Sequence, residues 1–200
     1  MDPLLISFAT IAAALFITEL TDKDALLILS VATRVRAPVV FVAGTVAFVF
    51  DTAVIVLLGS LLLAVVPIFW VRMAGGIAML AYGLWEARGL AGKGTVDREE
   101  SRIKKSGSSW KLFLTLLGSL IVLDLAGDAT EILTIVFVAQ YNYALLVFLA
   151  GSVGLVAATA VETALGNRLG KILTPRRIRF GSMLVFLVLG VAIILSTYLR

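Results

Sequence analysis

"VFVAGTVAFVFDTAVIVLLG", residues 40–59, recurs without a gap as "VFLAGSVGLVAATAVETALG", residues 147–166, and eleven of the twenty positions are identical. Each copy is an apolar run about as long as the ~20 residues a helix needs to cross a hydrocarbon core of ~30 Å. The offset of 107 (147 − 40) continues beyond the run, pairing Arg72 with Arg179, Leu80 with Leu187 and Gly83 with Gly190, while an offset of 106 pairs Asp22 with Asp128. A small apolar alphabet inflates identity, but a constant offset through two spans marks an internal repeat.

Working outward from that pair, the hydrophobic pattern draws six spans, at Leu4–Thr33, Val39–Val66, Ile68–Ala87, Trp110–Gln140, Tyr143–Asn167 and Ile178–Tyr198. One hydrophilic segment, "ARGLAGKGTVDREESRIKKSGSS", separates three from three and reads as a solvated linker, with short helical structure possible at "DREESRIKK". The expected organisation is a first three-helix repeat over 1–90, a charged cytoplasmic linker over 91–109 and a second repeat over 110–200. Because three is odd, the second copy must be inverted relative to the first, the plan of many secondary transporters. The fold class is therefore all-α: a polytopic membrane protein of six transmembrane helices built as two inverted three-helix repeats.

Composition agrees. Of 200 residues 60% are apolar and 15% charged, and the mean hydropathy is +1.07, which leaves too little polar surface to cover a water-soluble fold. Met-Asp-Pro begins the chain with no basic region and no small-residue cleavage site, so the first helix is expected to persist. Fourteen of the seventeen Lys and Arg fall on one side of the spans: Arg34, Arg36, seven from Arg88 to Lys111, and Arg168, Lys171, Arg176, Arg177 and Arg179. Only Arg72 and Arg200 fall opposite, and Lys23 lies within a span. The positive-inside rule puts the rich face in the cytoplasm and both termini outside, in a cell membrane. Trp70, Trp85, Trp110, Tyr141, Tyr143 and Tyr198 sit at span ends, where amphipathic rings anchor to the interface. The same placement explains the pI near 9.6 without a nucleic-acid partner; the partner is the lipid bilayer, and oligomeric state is left open.

Cysteine and histidine are absent, which excludes disulfides, thiolate or imidazole metal sites, and Cys-His or Ser-His catalysis. An ion site must use oxygen ligands, and these suit hard cations. Eight acids fall within the spans: Glu19, Asp22 and Asp24 in the first, Asp51 in the second, Asp124, Asp128 and Glu131 in the fourth, Glu162 in the fifth. At roughly 2.5–3.5 kcal/mol each near mid-bilayer, leaving all eight unpaired costs on the order of 20 kcal/mol. Lys23 alone cannot compensate them, so they are protonated, hydrated in a cavity, or gathered round a cation.

Helical geometry argues for gathering. On one continuous helix Asp124, Asp128 and Glu131 fall within an arc of roughly 60°. Glu19 and Asp22 form an i,i+3 pair, Lys23 is i,i+4 from Glu19, and Asp24 points elsewhere. Asp51 corresponds to Ala158 in the other half, and Glu162 to Ile55. Each half thus brings a motif helix and one further carboxylate, which an inverted two-fold axis would let converge near the midplane. Asp24, Asp51 and Glu162 each have a structural alternative, as protonated acids bonding Thr or Ser across a helix interface.

"ELTDKD" at 19–24 and "LAGDATE" at 125–131 resemble the E-x-G-D-[KR]-[ST] hallmark, present once per half, of the Gdt-one family of calcium/manganese:proton exchangers within the lysine-exporter superfamily. The first copy keeps Glu19, Asp22 and Lys23, with Thr21 for Gly and Asp24 for the hydroxyl residue. The second keeps Gly127, Asp128 and Thr130, with Leu125 for the glutamate and Ala129 for the base, and Asp124 and Glu131 stand near the missing glutamate. The resemblance implies a secondary transporter, not an enzyme, with no cofactor, that exchanges Ca²⁺ or Mn²⁺ for protons. Its expected cation ligands are Glu19, Asp22, Asp124, Asp128 and Glu131, with Lys23, Asp51, Glu162, Thr21 and Thr130 in proton coupling or behind the ligands. A tellurium-resistance-type protein or solute exporter of the same superfamily, and a non-transporting membrane scaffold, are the alternatives.

Overall fold

The computed structural model describes residues 2–33, 35–88, 109–124, 128–172 and 175–199. Lys23, Glu86, Ser109, Leu123, Asp124, Leu165 and 167–179 are described, where at all, by backbone only. The expected linker helix at 97–105, Leu125 and Gly127 of the second motif, and the side chains of Lys23, Asp124 and Arg179 lie outside the description.

Eight helices account for the described chain, with no strand among the described residues: α1 (Pro3–Leu20), α2 (Lys23–Ala32), α3 (Ala37–Val65), α4 (Ile68–Ala87), α5 (Ser109–Asp124), α6 (Ala129–Tyr141), α7 (Ala144–Ile172) and α8 (Pro175–Tyr198). Five carry stretches long and apolar enough to cross a membrane, in α1, α3, α4, α7 and α8, and α5 and α6 are shorter apolar helices. The protein is a polytopic, all-helical membrane protein. Its outer surface shows why: Leu57, Leu61, Val65, Val153, Val188 and Leu195 are exposed, which only an apolar solvent tolerates over so wide an area. Trp70, Trp85, Trp110, Tyr143 and Tyr198 are exposed as well, as expected of interfacial rings.

Two expected spans are not single helices. Leu4–Thr33 divides into α1 and α2, and Trp110–Gln140 into α5 and α6. The starts of the helices run in parallel: α5 begins 106 residues after α1 and α6 106 after α2, while α7 begins 107 after α3 and α8 107 after α4. Both α3 and α7 are 29 residues long.

Packing is reciprocal along the same register. A Cβ on Gly44 would stand 2.7 Å from Thr159 Cγ2, and one on Gly151 would stand 3.4 Å from Thr52 Cγ2; Gly151 is Gly44 plus 107, and Thr159 is Thr52 plus 107. Likewise Gly83 meets Leu187 at 3.2 Å while Gly190 meets Leu80 at 2.8 Å. In each pair the contact moves up one helix as it moves down the other, so α3 crosses α7, and α4 crosses α8, antiparallel. The glycines allow these backbones to approach where a side chain would hold them apart. α7 also lies against α1 and α2, and α3 against α5 and α6. Between them the core is apolar, with Ile11, Leu15, Phe48, Leu116, Leu133 and Phe186 buried and Phe186 edge-on to Tyr82 at 5.1 Å.

Candidate cation site

The acids sit where the helices break. At the end of α1 the chain tightens: Thr21 N–H donates to Thr18 O at 3.1 Å and Asp22 N–H to Glu19 O at 3.0 Å, three-residue bonds that close a helix instead of continuing it. The Thr21 hydroxyl donates to the Ile17 and Thr18 carbonyls at 3.2 and 3.0 Å, and the Thr21 carbonyl accepts from the Ser182 hydroxyl on α8. Carbonyls left open by the break are thereby satisfied without water, the condition for irregular backbone inside a membrane. α2 then restarts at Lys23 with Asp24 in its first turn, where the positive end of the helix dipole favours a negative group.

The second break uses different chemistry. Asp128 is extended (φ −123°, ψ 176°) and caps α6. Its Oδ1 accepts from Thr130 N–H at 2.6 Å and Glu131 N–H at 3.4 Å, and Glu131 Oε2 accepts from Asp128 N–H at 3.4 Å. This is a capping box. It corrects the expectation that Asp124, Asp128 and Glu131 form one acidic stripe: Asp124 ends α5, Asp128 is outside any helix, and Glu131 folds back on the Asp128 backbone. At the far end of α6, Arg72 donates to the Ala139 and Gln140 carbonyls at 2.9 and 3.0 Å, which matches a cation to the negative end of that helix.

Glu19 is the centre of the arrangement. It is fully buried at the end of α1. Across the two halves, Thr130 Oγ1 donates to Glu19 Oε2 at 3.5 Å. Glu19, Asp24, Asp128 and Glu162 are wholly buried, and Asp22 nearly so. Glu19 Oε1 and both Glu162 carboxyl oxygens are buried without a hydrogen-bond partner.

Of the expected residues, Thr130 reaches Glu19 across the two halves. The break at Thr21–Asp22 cancels the angular argument that set Asp24 apart on a continuous helix, and Asp24 is buried in the first turn of α2. Asp51 is buried on α3. Among the described residues no three carboxylates stand close enough to grip one ion. Sequence reasoning passed over Ser182, whose hydroxyl closes the first break; nothing in a lone serine on an apolar helix signals that role.

Such a group cannot be fully ionised and empty at once, since like charges in a low dielectric repel while each loses its hydration. Two helix N-termini help, as α2 and α6 both begin at the group. A cation or protons must supply the rest.

No curated protein and no solved structure matched the chain. A family model did: that of the divalent cation/proton antiporter GDT1, over residues 7–93 and 113–200, which takes in both breaks and all the buried acids. A chain that breaks two membrane helices around shared carboxylates, and matches this model over nearly its whole length, belongs to the GDT1 family of divalent cation/proton antiporters, a family of transporters and not of enzymes.

Proposed function

We propose that the protein exchanges Ca²⁺ or Mn²⁺ for protons through a midplane site whose ligands are drawn from Glu19, Asp22, Asp124, Asp128 and Glu131. Thr21 and Thr130 add hydroxyl oxygens, and Lys23, Asp51 and Glu162 serve proton coupling or stand behind the ligands. The observation that carries this reading is the burial of Glu19 at the first break, with Thr130 reaching it from the second. Oxygen-only donors favour these hard ions. Ion and protons compete for the same oxygens, and that competition is the coupling: the site crosses the membrane carrying one or the other.

Two inverted repeats of three spans, 1–90 and 110–200 with a cytoplasmic linker at 91–109, provide the means of alternating access. The matching helix starts and the reciprocal Gly44–Thr159 and Gly151–Thr52 contacts support that plan. Rocking one repeat on the other about the α3–α7 and α4–α8 crossings opens the site to each side in turn. The distribution of Lys and Arg supports a cell-membrane orientation with both termini outside.

Purified protein in liposomes loaded with a pH-sensitive dye tests this. Addition of Ca²⁺ or Mn²⁺ is expected to drive proton efflux, with Mg²⁺ and Na⁺ weaker. Protein-containing liposomes indistinguishable from empty ones with every ion would end the proposal.

A further inference from the structure

The two halves do not contribute their glutamates from matching places. Glu19 corresponds to Leu125 at the offset of 106, and Glu162 corresponds to Ile55 at the offset of 107. Each half therefore holds one glutamate where the other holds an aliphatic residue. We infer that Glu162 is a direct ligand of the transported divalent cation, paired with Glu19, and that it supplies from α7 the carboxylate that register would place at Leu125. This moves Glu162 from the supporting place given to it above into the ligand set, and otherwise rests on that reading.

α7 carries Glu162 along the helices that flank the first break. α7 is pinned to both sides of the first break: Gly154 packs on the Ala12 backbone, and Gly166 lies where a Cβ would stand 2.9 Å from Ala32 Cβ. Glu162 lies between these anchors, on the stretch of α7 that packs along α1 and α2. Glu162 is fully buried, and both its oxygens lack a hydrogen-bond partner.

A structural acid would be bonded to a nearby hydroxyl, but the neighbouring hydroxyls are committed elsewhere. Thr163 donates to the Thr159 and Ala160 carbonyls at 2.7 and 3.2 Å, Thr159 to Leu155 O at 2.9 Å, and Thr18 to Ala14 O at 2.8 Å. What remains is a pair of carboxylates with three unbonded oxygens and two formal charges, enough to neutralise one divalent ion. Thr130 Oγ1, already at Glu19, can add a neutral oxygen, and retained water completes the shell. Two protein carboxylates with water also agree with the lack of any tight group of three among the described residues.

The test measures Mn²⁺ and Ca²⁺ affinity of the full-length protein from cation-dependent shifts in melting temperature, for wild type, E162Q and E162D. Glutamine is nearly isosteric and removes an unbonded buried charge, so E162Q is expected to melt without cation at or above wild type. Loss of a group that merely supports a ligand costs ~10–100-fold in affinity; loss of Glu162 is expected to exceed that range. A smaller rise in Kd, or none, overturns direct ligation while leaving the antiport reading intact. A wild type that no divalent ion stabilises overturns both. Should E162Q fail to fold, E162D decides: a ligand shortened by one methylene changes the Ca²⁺ to Mn²⁺ preference, whereas an unchanged preference overturns the inference.

Discussion

Replacing Asp128 by asparagine and by alanine separates two roles that its carboxyl group combines. One is local, since Oδ1 caps α6 through the 2.6 Å bond from Thr130 N–H. The other is charge, since Asp128 is a buried acid at the start of the helix whose Thr130 reaches Glu19. Asparagine is as good a cap as aspartate, and alanine forfeits ~0.5–2 kcal/mol. Asp128 is fully buried and Thr130 nearly so, so the uncapped amide of Thr130 could not turn to solvent and the loss belongs near the upper end, about 2 kcal/mol. For a chain of this length that lowers Tm by roughly 4–8 °C. Asp128→Asn removes a negative charge from a crowded acidic group while keeping the cap, and its Tm without cation is expected to equal or exceed that of wild type. Divalent-driven proton flux in liposomes should nevertheless be lost in both variants. Asparagine and alanine variants that melt alike would refute the capping argument. An asparagine variant that exchanges at the wild-type rate would remove Asp128 from the site.

Gly154→Ala is expected to unfold the protein or prevent its insertion, because the new methyl meets the Ala12 backbone, which cannot rotate away; Gly118→Ala, with open space at that position, should leave Tm level or slightly higher in the same assay. Arg72→Ala removes two charge-assisted bonds to the last turn of α6, worth ~1.5–3 kcal/mol each at most, and should lower Tm by several degrees while Arg72→Lys restores part of it. Divalent affinity should fall as pH falls, because protons and cation occupy the same carboxylates and only the deprotonated form binds metal. The expected slope is about tenfold in Kd per pH unit for each proton displaced, read from titrations at several pH values, and a pH-independent Kd would separate proton movement from this site.

Hydropathy is a sum over neighbours in the chain, so the membrane, the all-helical class and the matching stretches at 40–59 and 147–166 were legible in the residues themselves. The absence of Cys and His confined the chemistry to oxygen ligands for the same reason: composition does not depend on folding. Where helices stop is less local. The second break carries a signal in Gly127 and Asp128, but Thr21–Asp22 contains neither Gly nor Pro, and its bend survives because Ser182, 161 residues away, takes the Thr21 carbonyl. That one bend dissolved the angular logic of a continuous helix for Asp24, just as the Asp128 cap did for the acids of the other half. How closely α7 lies along α1 and α2 was decided by packing alone, with Gly154 against the Ala12 backbone and Gly166 against Ala32. Burial is written in each residue's neighbours along the chain, but company in space is set by how helices cross.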